Sequence, residues 1–532
     1  MSIKATHYRR QCFRNVVAIL LLLLFFISCR GEDERIRTKP NIILISLDTL
    51  RADYLHCYGN DKNITPEIDR IAAKGVLFES VYAQSNWTLP SHVSMLSALY
   101  PSRHGVNDSN VLIPDGVTLL PQILKEHGYS TASFNAAGFV SHRFGFDRGF
   151  DIWKEIPKRS GDIRDIVDET TAWIQKHLDE KFFVFFHTYE VHHPYDPPER
   201  FRKQNRGRDA FVEERMNAFF STVMSGKDLT PGDFGFFWLL MQSRHRSYLT
   251  GKCKAFCSAY QKSTDPDVDC DAFVETVRKL AARAFDEEEK IFAWYRSMKK
   301  APSSDRFSEI DYMMSNYEAE VIYTDQEIGR LLKLLEGMEL KNDTLIVITS
   351  DHGEEFVEHG RWGHRRKNHH YDETVRVPLI FYYPGRLPEN RRISTPAGLI
   401  DIVPTILDLA GIPEQDQFDG ISLVPLINGG NDEARLIFCE SRFDKHDIWT
   451  VTVIKDRWKY HHDLKANLPD ELYNIALDPG ETSNLAGTGH DVMAPLKAAA
   501  AQYEADISMQ KQEEVALDDQ LQEQLKDLGY FE

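Results

Sequence analysis

An aspartate and a histidine side by side at the end of an apolar run are the residues of this 532-residue chain best suited to carry chemistry. Residues 345–349 are apolar and lead into Ser350, Asp351, His352, Gly353, Glu354 and Glu355. A carboxylate and an imidazole so placed suit a hard or borderline divalent cation, which takes oxygen and nitrogen donors rather than thiolates. Asp48 ends a second apolar run, 41–47, in the same way. Taken alone, such an aspartate reads equally well as a turn former or a helix cap. Thr88 sits in the stretch 87–92, ahead of an apolar segment entered through Pro90. The pattern predicts a buried helix over 93–99, with Thr88 just outside its N-terminus, where backbone N–H groups favour an anion. The plainer reading is that Thr88 or Ser91 caps that helix. A hydroxyl there becomes a nucleophile only where a metal or a base stabilises its alkoxide. Of 20 histidines, His187, His192 and His193 follow one apolar run, and His359, His364, His369 and His370 precede another. Core packing alone would not gather imidazoles at strand ends.

The elements that must position these residues alternate. Apolar runs at 41–47, 182–186, 345–349 and 377–382 read as buried strands. Between them, 64–74, 165–178 and 314–338 carry helical signals, the first opening on Thr65-Pro66-Glu67 with a cap, a first-turn proline and an acidic first turn. Strands alternating with helices predict an α/β fold with an open, mostly parallel sheet, whose sites lie past the carboxyl ends of its strands. Residues 200–310 read as a mainly helical insertion that could wall or lid the site, with helices expected near 211–224, 234–248 and 271–299. From about 434 onward, short strands at 436–439, 449–454 and 458–461 predict a small mixed or antiparallel sheet, followed by a charged helical tail over 491–529.

Composition excludes several classes. With 42% hydrophobic residues, 30 Gly and 23 Pro, the chain can bury a large core and is neither disordered nor fibrous. A net charge of −18 argues against a protein that grips nucleic-acid backbone. The N-terminus carries Lys4, Arg9, Arg10 and Arg14 and then the apolar run 16–27. At helical rise that run spans about 18 Å, short of a hydrocarbon core of roughly 30 Å. Residues 1–28 therefore read as a signal peptide. Phe26-Ile27-Ser28-Cys29 resembles a bacterial lipobox that would lipidate Cys29, with 29–39 as a tether; an uncleaved anchor and simple secretion are the alternatives. Cys253, Cys257 and Cys270 could pair in an oxidising compartment, whereas a zinc knuckle lacks a fourth ligand at knuckle spacing.

Seven segments together resemble the sulfatase branch of the alkaline phosphatase superfamily. They are Asn41 to Asp53, Thr88-Leu-Pro-Ser-His92, Tyr100-Pro-Ser-Arg-His-Gly105, His187 to Tyr195, Ser350-Asp-His-Gly-Glu-Glu355, Arg376-Val-Pro-Leu-Ile380 and Glu471 to Glu481. The resemblance implies a mainly parallel ten-stranded sheet flanked by helices, with a smaller C-terminal domain containing an antiparallel sheet. It places the catalytic domain at 40–433 and the smaller domain with its helical tail at 434–532. It implies Asp48, Asp351 and His352 as ligands of one divalent metal, with Thr88 at the nucleophile position and also a ligand. His192 would contact the substrate's ester oxygens or leaving group, and His364 the transferred anion or the leaving oxygen.

Two departures shape the expectation. Thr49 stands where relatives have a second ligand aspartate. The segment 88–92 lacks the Cys and the Arg of the family's Cys-x-Pro-x-Arg signature, and threonine has no thiol to convert to formylglycine. The expected enzyme is a metal-dependent hydrolase of sulfate or phosphate esters without formylglycine, using Thr88 directly. Ca2+ is its expected ion, with Mn2+ or Zn2+ as alternatives if other imidazoles join His352. The expected substrate is a sulfated or phosphorylated small molecule or glycan, met on the periplasmic side of a bacterial envelope. A phosphodiesterase or phosphonate hydrolase, a phosphoryl-group transferase, and a non-catalytic glycan-binding lipoprotein remain as alternatives.

Overall fold

The computed structural model describes residues 39–157, 162–202, 206–230, 232–237, 246–286, 308–364, 370–430, 435–443, 448–465, 468–506, 513–515 and 517–528. The signal segment with Cys29, the basic run 365–367 and His369 lie outside the described residues. The strands are β1 (Asn41–Leu47), β2 (Val76–Tyr82), β3 (Ser130–Asn135), β4 (Ile152–Glu155), β5 (Phe182–Thr188), β6 (Thr344–Thr349), β7 (Glu355–Phe356), β8 (Trp362–Gly363), β9 (Arg376–Tyr382), β10 (Arg391–Ile393), β11 (Ala397–Gly398), β12 (Ile437–Phe443), β13 (Ile448–Lys455), β14 (Trp458–Asp463) and β15 (Glu471–Asn474). The longer helices are α1 (Pro66–Ala72), α2 (Thr88–Ser97), α3 (Ile163–Ile174), α4 (Arg206–Met224), α5 (Arg246–Ser263), α6 (Cys270–Asp286), α7 (Ser308–Gly337), α8 (Ile402–Leu409), α9 (Met493–Asp506) and α10 (Asp519–Asp527).

The main sheet has nine strands in the order β10-β2-β9-β6-β1-β5-β3-β4, with β11 also on β2, against the ten that the resemblance implied. Every residue of β1 is buried, because a strand paired on both edges and covered on both faces has no solvent side. It runs parallel to β5 and to β6, with Ser46 opposite both His187 and Thr349. That register brings the residues after β1 and β6 and the end of β5 to one edge of the sheet. The sheet is mixed, since β9 lies antiparallel to both β2 and β6.

Helices α1 and α3 pack on α7, and α2 packs on α8. Thr65 does not cap α1 with its side chain. Asp325 of α7 does so instead, accepting from the backbone N–H groups of Ile68 (2.8 Å) and Glu67 (3.2 Å). Helix α2 corrects the sequence reading: it begins at Thr88, not at residue 93. Pro90 falls within its first turn, where a missing N–H forfeits no intrahelical bond, so the proline marks the inside of the helix rather than its edge.

The insertion has a core of its own, built from Val212, Met216, Phe219, Phe220, Phe236, Phe237, Phe273, Val274 and Val277 with Cys253, Cys257 and Tyr312. A disulfide joins Cys257 on α5 to Cys270 at the start of α6, leaving Cys253 as a buried thiol. Strands β12 to β15 form an antiparallel sheet of four, covered by Leu496 and Ala500 of α9. The expected tail helix is two: α9 lies on this small sheet, while Leu521, Leu525 and Leu528 in and after α10 join the core of the large domain. Among the described residues, no helix is long and apolar enough to cross a membrane.

Replacing Cys270 by Ser should destabilise the insertion by about 2–4 kcal/mol, as loss of a closed loop does. Chemical denaturation followed through proteolysis of 246–286 would measure it, and an unchanged midpoint would mean that the aromatic core alone holds these helices.

Candidate active site

Three strand ends and one helix start converge on a buried cluster. Asp48 follows β1, and its backbone N–H still bonds Thr188 O of β5 (3.1 Å). The chain then turns through Thr49 at a φ of 58°, a left-handed conformation that side chains other than glycine's seldom take. Tyr317 of α7 clamps this turn: its hydroxyl donates to Thr49 O (2.8 Å) and accepts from Arg51 N (2.9 Å). Thr49 uses its backbone, with N–H donating to Asp351 Oδ1 at 3.3 Å.

After β6, Asp351 Oδ1 also accepts from His352 N (2.9 Å), and Ser350 Oγ donates to His352 O (2.7 Å). Gly353 has to be glycine, since a Cβ there would stand 2.1 Å from Glu373 O. Helix α2 contributes Thr88 at its first position, after an extended Trp87, and Ser91, whose Oγ donates to Asp351 O at 2.6 Å.

These elements bring Asp48, Thr88, Asp351 and His352 together, all buried. Thr88 Oγ1 lies 3.4 Å from Asp48 Oδ2 and 3.3 Å from His352 Nε2. One ligand atom each of Asp48, Asp351 and His352 falls within 4.8 Å of the others. The donor set fits a cation on three counts. Asp48 Oδ1 and Asp351 Oδ2 are buried with no hydrogen-bond partner among the described residues, which is costly for carboxylate oxygens. His352 Nδ1 is taken by Gly353 O (2.8 Å), so Nε2 presents its lone pair to the cluster. Electrostatics agrees: burial, and then repulsion from Asp351, push the Asp48 carboxyl well above the usual range. Burial pushes Asp351 up as well, but His352, His92 and His187 outweigh it and hold that carboxyl low.

His192 and His364 stand beside this cluster. Their ring centroids are 5.0 Å apart, and His364 lies 4.3 Å from the His352 ring. Glu354 supports them, with Oε1 2.9 Å from His364 Nδ1 and Oε2 accepting from Tyr195 Oη (2.8 Å). Of the histidines whose position the sequence left open, His364 faces the site. His370 instead turns to the small sheet, with Nδ1 2.9 Å from Thr452 Oγ1 and Nε2 2.9 Å from Ser441 Oγ.

Sequence reasoning gives no role to His92 or Glu354, and names His187 and His193 only as members of a histidine group at a strand end. His92 is one helical turn after Thr88; its Nδ1 meets Thr88 O (2.9 Å) and Asp351 Oδ2 (3.3 Å), and its Nε2 meets Ser46 Oγ (2.9 Å). Both of its nitrogens are engaged by protein, so it is a strut between helix and strand rather than a free donor. The i,i+4 spacing from Thr88 could have found it. His187 Nε2 lies 3.4 Å from Asp48 Oδ2, a neighbourhood set by the β1–β5 register, which no local pattern announces.

The profile of the family described as Sulfatase matches residues 40–412, and that of the N-sulphoglucosamine sulphohydrolase C-terminal region matches 358–506. The chain is 25% identical over 505 residues to an N-acetylglucosamine-6-O-sulfatase of Bacteroides thetaiotaomicron, covering 89% of this chain and 87% of that protein. It is 26% identical to a choline-sulfatase of Rhizobium meliloti, covering 84% and 82%. Among solved structures, one bound to its substrate D-glucosamine-2-N,6-O-disulfate superposes with a TM-score of 0.60 at 22% identity, covering 92% of this chain and 98% of that one. The phosphonate monoester hydrolase of Agrobacterium radiobacter superposes with a TM-score of 0.61 at 21% identity, covering 88% and 95%.

A cation that binds only the folded chain stabilises it, by about 2.7 kcal/mol at a hundred times its Kd. Chelation should therefore lower the Tm, and added Ca2+ or Mn2+ should restore it. Asp351→Asn should abolish this dependence; a variant that keeps the full cation-induced shift would show that the ion sits elsewhere.

Proposed function

Because the chain belongs to the sulfatase family of the alkaline phosphatase superfamily, we propose that it is a divalent-metal-dependent hydrolase of sulfate or phosphate esters with Thr88 as its nucleophile. The observation that carries this reading is the placement of Thr88 Oγ1 between Asp48 and His352, beside two buried carboxylate oxygens that accept no hydrogen bond among the described residues. Asp48, Asp351, His352 and the Thr88 hydroxyl would hold the cation, which when bound lowers the pKa of that hydroxyl and takes up developing negative charge. Oxygen donors predominate in this set, which favours Ca2+ over a softer ion.

In the first half-reaction, deprotonated Thr88 Oγ1 attacks sulfur or phosphorus. The Oγ1 bond forms as the bond to the leaving alcohol breaks, and the proton that Thr88 gives up is passed by His192 or His364 to that leaving oxygen. The positive end of α2, where Thr88 stands at the first position, would favour the negative charge on the transferred group. In the second half-reaction water attacks the threonyl ester, releasing sulfate or phosphate and restoring the hydroxyl. Threonine lacks the elimination route of a formylglycine hydrate, so transfer to a second alcohol competes with hydrolysis.

The names of the relatives favour a sulfated sugar or another sulfated small molecule as the substrate. The positive N-terminus, the apolar run 16–27 and Cys29 support a signal peptide and a lipid anchor on the periplasmic side of a bacterial envelope.

Thr88→Ala should cost on the order of a thousandfold or more in kcat, as removal of a nucleophile does, while Thr88→Ser should keep measurable turnover. Parallel assays on sulfate monoesters and on phosphate mono- and diesters would separate the ester classes. Peptide mass spectrometry should find threonine at position 88 unmodified. Full turnover by Thr88→Ala would remove the nucleophile assignment.

A further inference from the structure

A polar cleft of about 710 Å³ lies where the large sheet meets the small one, lined by Tyr82 and Arg376 from the first and by Asp456 and Arg457 from the second. It is distinct from the candidate active site, and residues 372–374 stand between the two. Asp372 lines the cleft, whereas Glu373 O and Thr374 O accept from the backbone N–H groups of Glu354 and Gly353 in the loop after β6, each at 2.8 Å. Tyr82 pairs with Arg376 in the β2–β9 ladder, and β2 and β6 both run antiparallel to β9. The carboxyl end of β2 therefore reaches the edge at which Asp351 stands. Only β9 separates β2 from β6, so the cleft is about 10 Å across the sheet from the end of β6 at the usual interstrand spacing.

The charge in this cleft is largely unanswered by protein. Arg376 directs Nε and Nη2 to the carbonyl of Glu79 (3.3 and 2.9 Å), which fixes its guanidinium and leaves Nη1 without an acceptor among the described residues. Neither Arg376 nor Arg457 forms an ion pair among the described residues, although the chain carries 81 acidic residues against 63 basic ones. Asp372 does not serve them, being held by Lys459 Nζ at 2.7 Å. Asp456 and Arg457 form the two-residue turn of the β13–β14 hairpin, closed by the Lys455–Trp458 pair, which fixes where both side chains leave the backbone. Asp456 takes a φ of 54° there, a conformation aspartate tolerates. Ser394 and Thr395 add hydroxyls to the lining, and Ile475 and Pro479 add apolar surface.

We propose that this cleft binds one unit of an acidic oligosaccharide at a site separate from that of Thr88. Guanidinium groups are planar forks that match a sulfate or a carboxylate, so Arg376 and Arg457 hold the anionic group. The Asp456 carboxylate and the Ser394 and Thr395 hydroxyls take the sugar's hydroxyl groups, and Ile475 and Pro479 lie against its C–H faces. The choice of a sugar rests on the substrate reading above and deepens it, while the preference for an anion stands on the two arginines alone. The cleft then holds a polymeric substrate by one unit while another unit reaches Thr88.

The test titrates full-length Thr88→Ala protein, by calorimetry, with a tetrasaccharide of alternating 6-O-sulfated N-acetylglucosamine and uronic acid. An uncharged N-acetylglucosamine tetramer serves as the control. The acidic chain should bind, more weakly as salt is raised, and the uncharged one should bind at least tenfold more weakly. Adding Arg457→Ala or, independently, Asp456→Asn should weaken binding of the acidic chain about tenfold, as loss of a charge-assisted hydrogen bond does. In the otherwise wild-type protein, Arg457→Ala should raise KM for the tetrasaccharide by a similar factor and leave turnover of a small aryl sulfate unchanged. Affinity equal to the parent's in both cleft variants would overturn the proposal, as would equal affinity for the charged and uncharged chains or no binding of either. Arginine-dependent binding by a wild-type protein that turns over no sulfate or phosphate ester would instead sink the hydrolase reading and leave this one standing.

Discussion

Two carboxylates, Asp48 and Asp351, are fully buried where the parallel strands β1 and β6 end, and the rest of the structure answers to that arrangement. Burying one ionised carboxylate is costly, and burying two together adds their repulsion. The fold meets part of the cost with donors: Thr49 N–H and His352 N–H point at Asp351 Oδ1. Histidine supplies a further part. His352, His92 and His187 hold the Asp351 carboxyl low against burial when they are charged, although burial pushes His92 and His187 down towards the neutral form. Asp48 has fewer such partners and ends up raised. Asp48 Oδ1 and Asp351 Oδ2, which accept no hydrogen bond among the described residues, are the oxygens to which the proposed function gives a divalent cation.

Holding this pair in register requires backbone that would not adopt its conformation unaided. The left-handed turn at Thr49 is worth on the order of 1–3 kcal/mol of strain, and Tyr317 grips it from α7 through two hydrogen bonds. On the other strand Gly353 presses against the carbonyl of Glu373, and its N–H bonds Thr374 O at 2.8 Å. Arg51 spans the two strand ends: its Nη1 donates to Glu354 O (2.9 Å) while the same guanidinium pairs with Asp53 and Glu358. The loop after β1 and the loop after β6 are thus tied together outside Asp48, Asp351 and His352 themselves.

Much of this was legible because buried parallel strands are written as uninterrupted apolar runs, and a charged residue that ends such a run marks its own position. Asp48 and Asp351 were found in that way, as was the alternation that predicts an α/β sheet. Features that depend on pairing were not legible. That His187 stands beside Asp48 follows from which strand neighbours β1, and the sequence holds no local trace of that choice. Cys257 and Cys270 are joined while Cys253 is not, a choice set by how α5 and α6 pack. The start of α2 is not legible either, because Pro90 reads as an entrance, whereas a first-turn proline is compatible with a helix that has already begun. His364 and His370 look alike in sequence; Glu354 draws one to the site and Ser441 and Thr452 draw the other away.

The small C-terminal sheet acts on the site through the segment just ahead of Thr88. Glu440 N–H of β12 donates to Gln84 O (2.7 Å), and Ser441 Oγ donates to Asn86 Oδ1 (2.6 Å). His370 bridges Ser441 to Thr452 of β13, which continues to His461 of β14 (2.7 Å). His461 in turn meets Glu481, whose carboxylate also binds the buried Lys459. Every side chain in this chain of contacts is buried, so each polar atom left without its partner would carry a desolvation cost and the network resists distortion. Trp87 must be extended for α2 to begin at Thr88, and the residues that set its direction are the ones β12 holds. The position of Thr88 is therefore fixed from two sides: by His92 and Ser91 on its own helix against the strands that end at Asp48 and Asp351, and by a second sheet that supplies none of the candidate ligands.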